Sequence, residues 1–460
     1  MSNSHSYTWL HIGLGAFHRS HQAWYMHKLI EAGDNTWSIT AGNMRGEDEA
    51  IAKCLREQQG EYVLETISPQ GESKYEKITS IKNIVPWQED LAPLITVGAL
   101  AATKVISFTV TEAGYYLDTN NKLDQSNEAV KADLSGDTKT IYGVVASILR
   151  KRMLGNHGPV TLLNCDNLRH NGQRFYNGLV EFLQLQKDET LLTWLGDNIT
   201  CPNTMVDRIT PRPTEDLPQR IKEKTGIDDN APVMAESYIQ WVIEDNFITP
   251  WPNLASVGVE VVESVVPYEE AKIRILNASH SCIAWAGTLL GKSFIYESVA
   301  IDFIYNMAFD YITEDVIPSL NSNEIDLFSY RDIVLERFAN INIKDTNQRV
   351  AADGFSKIPA MITPTLIDCY QNNKSPEATA MLPALFFIFL KKWHESALPY
   401  QYQDGIIDKQ LVTNMYASDD PIKVYSQNSM LFGKLAEKAE FEIMLRDKIN
   451  ELYLKINHMG

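Results

Sequence analysis

Short aliphatic runs alternate with amphipathic stretches through the first half of the chain. Trp9-Leu10-His11-Ile12 reads as a strand, Gln22 to Ile30 as a helix stopped at Gly33, and Ser38 to Ala41 as a second strand, a β-α-β unit. Tyr62 to Ile67, Lys104 to Val110 and Val160 to Leu163 are further aliphatic or β-branched runs closed by polar residues. A mostly parallel, doubly wound sheet is expected from them. After about residue 270 the alternation fades and helical periods take over, at Ala271 to Leu289, Ile301 to Ile312, Glu377 to Trp393 and Leu431 to Leu445. The fold class is therefore α/β, with a dinucleotide-type doubly wound domain over 1–267 and a mostly α-helical domain over 268–460. No repeat, low-complexity tract or flexible linker marks the boundary, which predicts two domains around a shared, ligand-holding cleft.

Charge narrows the partners. The 460 residues carry a formal net charge of -18, with 44% hydrophobic and 22% charged residues. No cluster of Lys and Arg offsets that acidity, so nucleic acid is not an expected partner. The five cysteines, Cys54, Cys165, Cys201, Cys282 and Cys369, are scattered singly, with no C-x-x-C and no His at metal-ligand spacing. Reduced thiols in a cytoplasmic chain fit that pattern. Met1 to Thr8 is polar and lacks the build of a secretory signal. The apolar run Ala380 to Leu390 is too short for a bilayer, contains Pro383 and ends in Lys391-Lys392, so it reads as a buried helix and no membrane segment is expected.

Gly13-Leu14-Gly15-Ala16-Phe17-His18 lies between the first strand and the first helix. Glycines there allow a tight turn and a close approach of backbone N–H groups to a pyrophosphate, as in Rossmann-type domains. His18 stands where G-x-G-x-x-G has its third glycine, so the fingerprint alone is weak, and an ordinary strand-to-helix turn would also use these glycines. Phe17 and His18 complete the candidate cofactor contacts on this turn. The second strand ends in Gly42-Asn43-Met44-Arg45-Gly46-Glu47-Asp48, with Asn43 where an acid usually reads the ribose. Glu47 or Asp48 would accept from the ribose hydroxyls, whereas Arg45 would favour a 2′-phosphate; the residues alone leave the choice open.

Lys272-Ile-Arg-Ile-Leu-Asn277-Ala-Ser-His280 places three polar groups among apolar ones. On an α-helix Asn277 lies about 140° and His280 about 80° from Lys272, one half of the surface. A solvated Lys with an Asn and a His satisfied in a core is one account of the pattern. The other is alcohol oxidation, which needs a base for the hydroxyl proton and donors for the oxygen that gains charge as hydride leaves. A desolvated Lys suits the first role and an Asn amide the second.

Asn164-Cys165-Asp166-Asn167-Leu168 and Asn203-Thr204-Met205-Val206-Asp207-Arg208-Ile209-Thr210-Pro211 each place a carboxylate and an amide at a turn. In a doubly wound sheet that is the ligand-facing carboxyl edge, although an Asx-turn would account for either. Arg349 and Lys357 bracket the Gly354 turn in Arg349-Val-Ala-Ala-Asp353-Gly-Phe-Ser-Lys357-Ile-Pro359, as a clamp on substrate hydroxyls or as a surface loop.

Taken in order, G-x-G-x-F-H-R-S-H, C-D-N-L, V-D-R-I-T-P, K-x-x-x-x-N-x-x-H and R-x-x-x-x-x-x-x-K-I-P closely resemble the long-chain mannitol dehydrogenase family of polyol dehydrogenases and sugar-acid reductases. The resemblance covers nearly the whole chain. Leu10 to Gly15, Asn203 to Asp207 and Ile275 to Ser281 look most like the bacterial branch that oxidises D-arabinitol to D-xylulose with NAD. The resemblance implies a zinc-free enzyme with Lys272 as the catalytic base, Asn167 and Asn277 on the reacting oxygen, and His280 orienting the substrate. It implies Glu269 as the carboxylate that passes the proton to water, and Asp207, Arg349 and Lys357 as contacts to the substrate chain. Ala352 stands where some mannitol-specific members carry another polar contact. Members of this family are often monomers, so a monomer acting on a small-molecule polyol is expected. A mannitol 2-dehydrogenase, a hexuronate reductase of the same fold, and a dinucleotide sensor without turnover are the competing readings; only the last has no use for Lys272, Asn277 and His280.

Overall fold

A computed structural model of the chain describes residues 7–110, 112–118, 122–320, 324–407 and 409–459; most of the polar lead-in Met1 to Thr8 lies outside them. The chain divides into two compact units, one ending at Val266 and the other beginning at Pro267, with the short stretch Pro69–Gly71 counted in the second.

Every strand among the described residues lies in the first unit: β1 (Tyr7–Ile12), β2 (Trp37–Gly42), β3 (Tyr62–Ile67), β4 (Ser73–Ile78), β5 (Ile81–Ile84), β6 (Thr103–Phe108), β7 (Val160–Asn164), β8 (Ile199–Thr200), β9 (Thr204–Asp207), β10 (Val233–Glu236), β11 (Gln240–Glu244) and β12 (Glu260–Val262). Six of them form a parallel sheet in the order β5-β2-β1-β6-β7-β8. Numbered within that sheet the order is 3-2-1-4-5-6, the dinucleotide-binding arrangement, in which β1 and β6 flank the switch point. Ile12 and Phe108 pair at that point, where the chain leaves each strand at its carboxyl end. β1, β2 and β7 are continuously buried over most of their length because helices cover both faces of the sheet.

Two expectations change here. Tyr62–Ile67 forms a strand, but not in the main sheet: β3 pairs parallel with β10 and antiparallel with β4 in a separate three-stranded sheet. Asn203 to Asp207 does not end a strand of the main sheet either, since β9 pairs antiparallel with β11, which pairs parallel with β12. Both errors have one source: the side-chain pattern of a buried strand carries no record of its partners.

In the second unit the described residues outside the loops are helical. The longest apolar run forms the helix Glu377–His394, buried continuously from Thr379 to Leu390 and passing through Pro383, whose carbonyl accepts from the Tyr425 hydroxyl at 3.0 Å. Trp285 of the helix Ala278–Leu289 packs on Phe386 with ring centroids 4.8 Å apart and donates its indole N–H to the Ala351 carbonyl. The helix expected over Leu431 to Leu445 is broken. Ser429–Phe432 ends at Gly433, whose φ of +54° suits glycine, and the long helix resumes only at Ala439. Among the described residues no helix is long and apolar enough to cross a membrane.

Candidate active site

Each unit contributes its own set of polar groups. In the first, β1 runs into Gly13, whose φ of +122° a side chain would strain, and whose N–H closes on the Gly42 carbonyl of β2 at 2.8 Å. Gly15 precedes the helix Ala16–Ser20 with open space where a Cβ would stand. Phe17 is half-buried and stacks on His21, with ring centroids 4.9 Å apart.

His18 accounts for the missing third glycine. That glycine normally lets the helix approach the strand closely. Here the His18 imidazole is buried and lies flat on His11 of β1, centroids 3.5 Å apart and planes 8° apart, so two rings fill the interval. Ser107 accepts from the Trp9 indole at 2.6 Å and lies 2.7 Å from His11 Nδ1. With the Ser107 proton given to Nδ1, the His11 proton resides on Nε2, the nitrogen beside Gly13. The His18 nitrogens meet no partner in hydrogen-bond geometry, although Gln22 lies close enough to favour the charged ring. Burial outweighs that, pushing His18 down to about 3 and His11 well below the usual imidazole range, so both rings are neutral.

The motif arginines are structural. Arg19 is buried and donates to the Leu14 and Ala231 carbonyls; Arg208 donates to the carbonyls of Glu236 and Ser20. They hold the segment after the glycine turn through main-chain oxygens. At the end of β2, buried Asn43 donates to the Asp48 carbonyl at 2.9 Å, while Arg45, Glu47 and Asp48 are exposed on the turn that follows.

Past β7, Asp166 was expected at an exposed turn but is buried at 1% exposure, while Asn167 beside it is exposed. The Asp166 carboxylate accepts from the Val110 amide, the Tyr115 hydroxyl and the Asn164 side chain, joining the ends of β6 and β7. Burial raises it to about 6 despite those donors. The Asn171 side chain donates to the Asp166 carbonyl at 3.0 Å and to the Thr204 carbonyl at 2.9 Å, bracing the loop that carries Asn167. Asp207 ends β9 and is buried.

In the second unit, Lys272 to Asn277 form a π-helical turn between the α-helical segments Val266–Ala271 and Ala278–Leu289. The Ala278 amide bonds back to Ile273, five residues away. A π turn holds more residues per revolution than an α turn, so positions five apart, such as Lys272 and Asn277, move toward one bearing instead of standing about 140° apart. Side-chain hydroxyls donate to the carbonyls of this turn. Tyr311 donates to the Arg274 carbonyl at 2.9 Å, Ser281 to that of Asn277 at 3.0 Å and Ser279 to those of Ile275 and Leu276. Arg274 ties the turn to Glu270 at 2.7 Å and to Asp368. Lys272 and Glu269 are both buried, at 7% and 4% exposure, and Asn277 is half-buried.

His280 stacks on Phe338 with centroids 4.6 Å apart, and its Nε2 lies 3.4 Å from Asp345. Arg349 pairs with the same carboxylate through Nε at 2.7 Å and through Nη2. Lys357 donates to the Val350 carbonyl at 2.7 Å, and burial lowers its ammonium to about 8. The second unit thus brings His280, Arg349 and Lys357 into one electrostatic cluster around Asp345. Sequence reasoning missed Asp345. Its signal was there: an acid four residues before Arg349 at a helix start is the spacing of an intrahelical ion pair.

Among the described residues no group of three or more His, Cys, Asp or Glu is arranged to hold a metal ion, and the five cysteines are unpaired.

The chain matches the family model described as mannitol dehydrogenase Rossmann domain over residues 8–256 and that of the mannitol dehydrogenase C-terminal domain over residues 264–453. It is 62% identical to a D-arabinitol 4-dehydrogenase of Klebsiella pneumoniae across 99% of this chain and 100% of that protein. To a D-arabinitol 4-dehydrogenase of Ralstonia nicotianae it is 52% identical across 93% and 92%. A solved structure of Pseudomonas fluorescens mannitol 2-dehydrogenase in ternary complex with NAD and D-mannitol superposes with a TM-score of 0.83 at 29% identity, covering 100% of this chain and 94% of that one. With both family domains matched in order along its length, the chain belongs to the mannitol dehydrogenase family.

Proposed function

We propose that the chain is an NAD-dependent polyol dehydrogenase that oxidises D-arabinitol to D-xylulose without a metal, with Lys272 as general base. The observation that carries the substrate is the 62% identity, end to end, with a D-arabinitol 4-dehydrogenase. The chemistry rests on the buried Lys272 set in a π turn with Asn277.

The first unit fits a dinucleotide: the left-handed Gly13 and the open space beside Gly15 admit a pyrophosphate at the switch point of a 3-2-1-4-5-6 sheet. Gly13, Gly15, Phe17 and His18 form or support that turn, and Glu47 or Asp48, both exposed, would accept from the ribose hydroxyls. When bound, NAD supplies the hydride acceptor. The chain's own residues manage the proton and the oxygen. Lys272 Nζ takes the proton of the reacting hydroxyl, and Glu269, three residues earlier on the helix, passes it outward. Asn167 and Asn277 donate to the oxygen as it gains negative charge and then becomes a carbonyl. His280, Asp207, Arg349 and Lys357 bind the remaining hydroxyls.

The test is NADH formation in the presence of excess EDTA, with D-arabinitol, D-mannitol, D-sorbitol, xylitol and L-arabinitol offered in parallel. The expected result is turnover on D-arabinitol at least tenfold above the other polyols in kcat/KM, unchanged by the chelator. Silence on every polyol together with NADH consumption on a keto-uronate would move the chain to the sugar-acid branch.

A further inference from the structure

Asp345 carries no role in the reading above, yet it touches two groups to which that reading assigns one. Its carboxylate is 9% exposed and faces His280 Nε2 on one side and the Arg349 fork on the other. The residue is held by its backbone: the Asp345 carbonyl accepts from the Ile295 amide at 3.0 Å, its own amide bonds to Ile343 at 2.9 Å, and Thr346 next to it bridges to Phe294. A carboxylate so fixed can impose geometry on more mobile partners, and the Arg349 side chain is 67% exposed.

Building on the polyol reading, we propose that Asp345 is a positioning residue for substrate recognition: it orients the His280 ring and neutralises Arg349, so that this cluster receives hydroxyl groups in preference to a carboxylate.

The His280 part follows from hydrogen-bond valence. Burial pushes the imidazole down to about 3 and outweighs Asp345, which favours the charged form; Arg349, Lys357 and Arg337 add to the lowering. A neutral imidazole has one N–H. With Nε2 facing a carboxylate, that N–H lies on Nε2, and Nδ1 is left as a lone-pair acceptor for a hydroxyl proton. At 3.4 Å the contact is long for a hydrogen bond, so it selects the tautomer, while the stack on Phe338 fixes the ring plane.

The Arg349 part follows from charge. A two-pronged guanidinium–carboxylate pair leaves no net charge on Asp345 and Arg349 together. Lys357 and Arg337 are the other cations acting on His280; the Lys357 ammonium is lowered to about 8 and already donates to Val350, and Arg337 is buried. A sugar acid arriving here would meet a guanidinium whose charge is already matched, so its carboxylate would lose solvation without gaining that partner, whereas neutral hydroxyls encounter no such penalty.

A purely structural role, an ion pair four residues apart bracing the helix Asn347–Ala351, predicts lower stability and unchanged kinetics. Three measurements separate the two. For Asp345→Asn we expect the KM for D-arabinitol to rise at least tenfold with kcat within about threefold, NADH affinity unchanged, and inhibition by D-arabinonate at least tenfold stronger than in the unsubstituted protein. Asp345→Glu restores most of the KM. Independently of any substrate, ¹⁵N NMR of the histidine rings should show His280 as the Nε2–H tautomer at pH 7.5 and lose that pattern in Asp345→Asn. A KM within twofold of the original, or unaltered His280 ring shifts, overturns the proposal. If the unsubstituted protein oxidises no polyol, the functional reading and the hydroxyl preference fall together, and the ring shifts alone decide the orienting role.

Discussion

Replacing Lys272 by alanine is expected to lower kcat for polyol oxidation by about 10² to 10⁴-fold, the usual worth of a positioned general base, while the NADH dissociation constant stays within twofold. The reason for the split is division of labour. The glycine turn and the β1–β6 switch point lie in the first unit, and Lys272 lies in the second, on the π turn Lys272–Asn277. Lys272→Arg should fail to rescue, because a guanidinium stays protonated and cannot accept the hydroxyl proton. Steady-state kinetics beside a fluorescence titration of NADH check both halves. Near-normal turnover in Lys272→Ala would remove the base assignment, and lost NADH binding would mean that the substitution disturbs more than the chemistry.

The second large effect is on stability: acidification should weaken the fold from about pH 6.5 downward. His11, His18 and His280 are buried and neutral, with folded-state values at about 3 for His18 and His280 and far below 6.5 for His11. In the unfolded chain each protonates near 6.5, so below that pH the unfolded state binds more protons and is favoured. His18 and His280 each cost about 1.4 kcal/mol per pH unit, or about 2 kcal/mol at pH 5, and His11 adds to the loss in the same direction. Asp166 acts in the opposite sense. Its folded value of about 6 lies above the ordinary 3.8, so its folded form gains a proton first as pH falls and returns about 1 kcal/mol at pH 5. The rings outweigh the carboxyl, and His18 and His280 against Asp166 alone leave a net loss of about 3 kcal/mol between pH 7.5 and 5. Denaturant unfolding at the two pH values measures it. Equal stabilities would show that the histidines are not held neutral in the fold.

The legible part of the molecule was the part with local causes. β1, the helix Gln22–Glu31 and β2 were readable because aliphatic runs, a glycine stop and a turn motif lie within a few residues of one another. The helix Glu377–His394 is readable from its helical period and its apolar run. What escaped depended on partners distant in sequence. The side chains of β3 do not say that Val233–Glu236 is its neighbour, so its pattern alone points to the main sheet. The π turn at Lys272 was hidden because the same residues suit an α-helix; Tyr311, Ser279 and Ser281 satisfy its carbonyls, and Tyr311 is far along the chain. Asp166 carried the sequence signal of a turn and became the buried clamp of two strand ends through Tyr115 and Val110. Conversely, Arg19 and Arg208 belong to motifs that mark the family, yet their fork donors are spent on main-chain oxygens.

The central claim, hydride transfer from one carbon of D-arabinitol to NAD, is tested most directly with D-arabinitol carrying deuterium at C4. Mass spectrometry of the products should find the label on the reduced nicotinamide and the sugar as unlabelled D-xylulose. D-ribulose with the deuterium retained, or no transfer of label to the dinucleotide, would contradict the account.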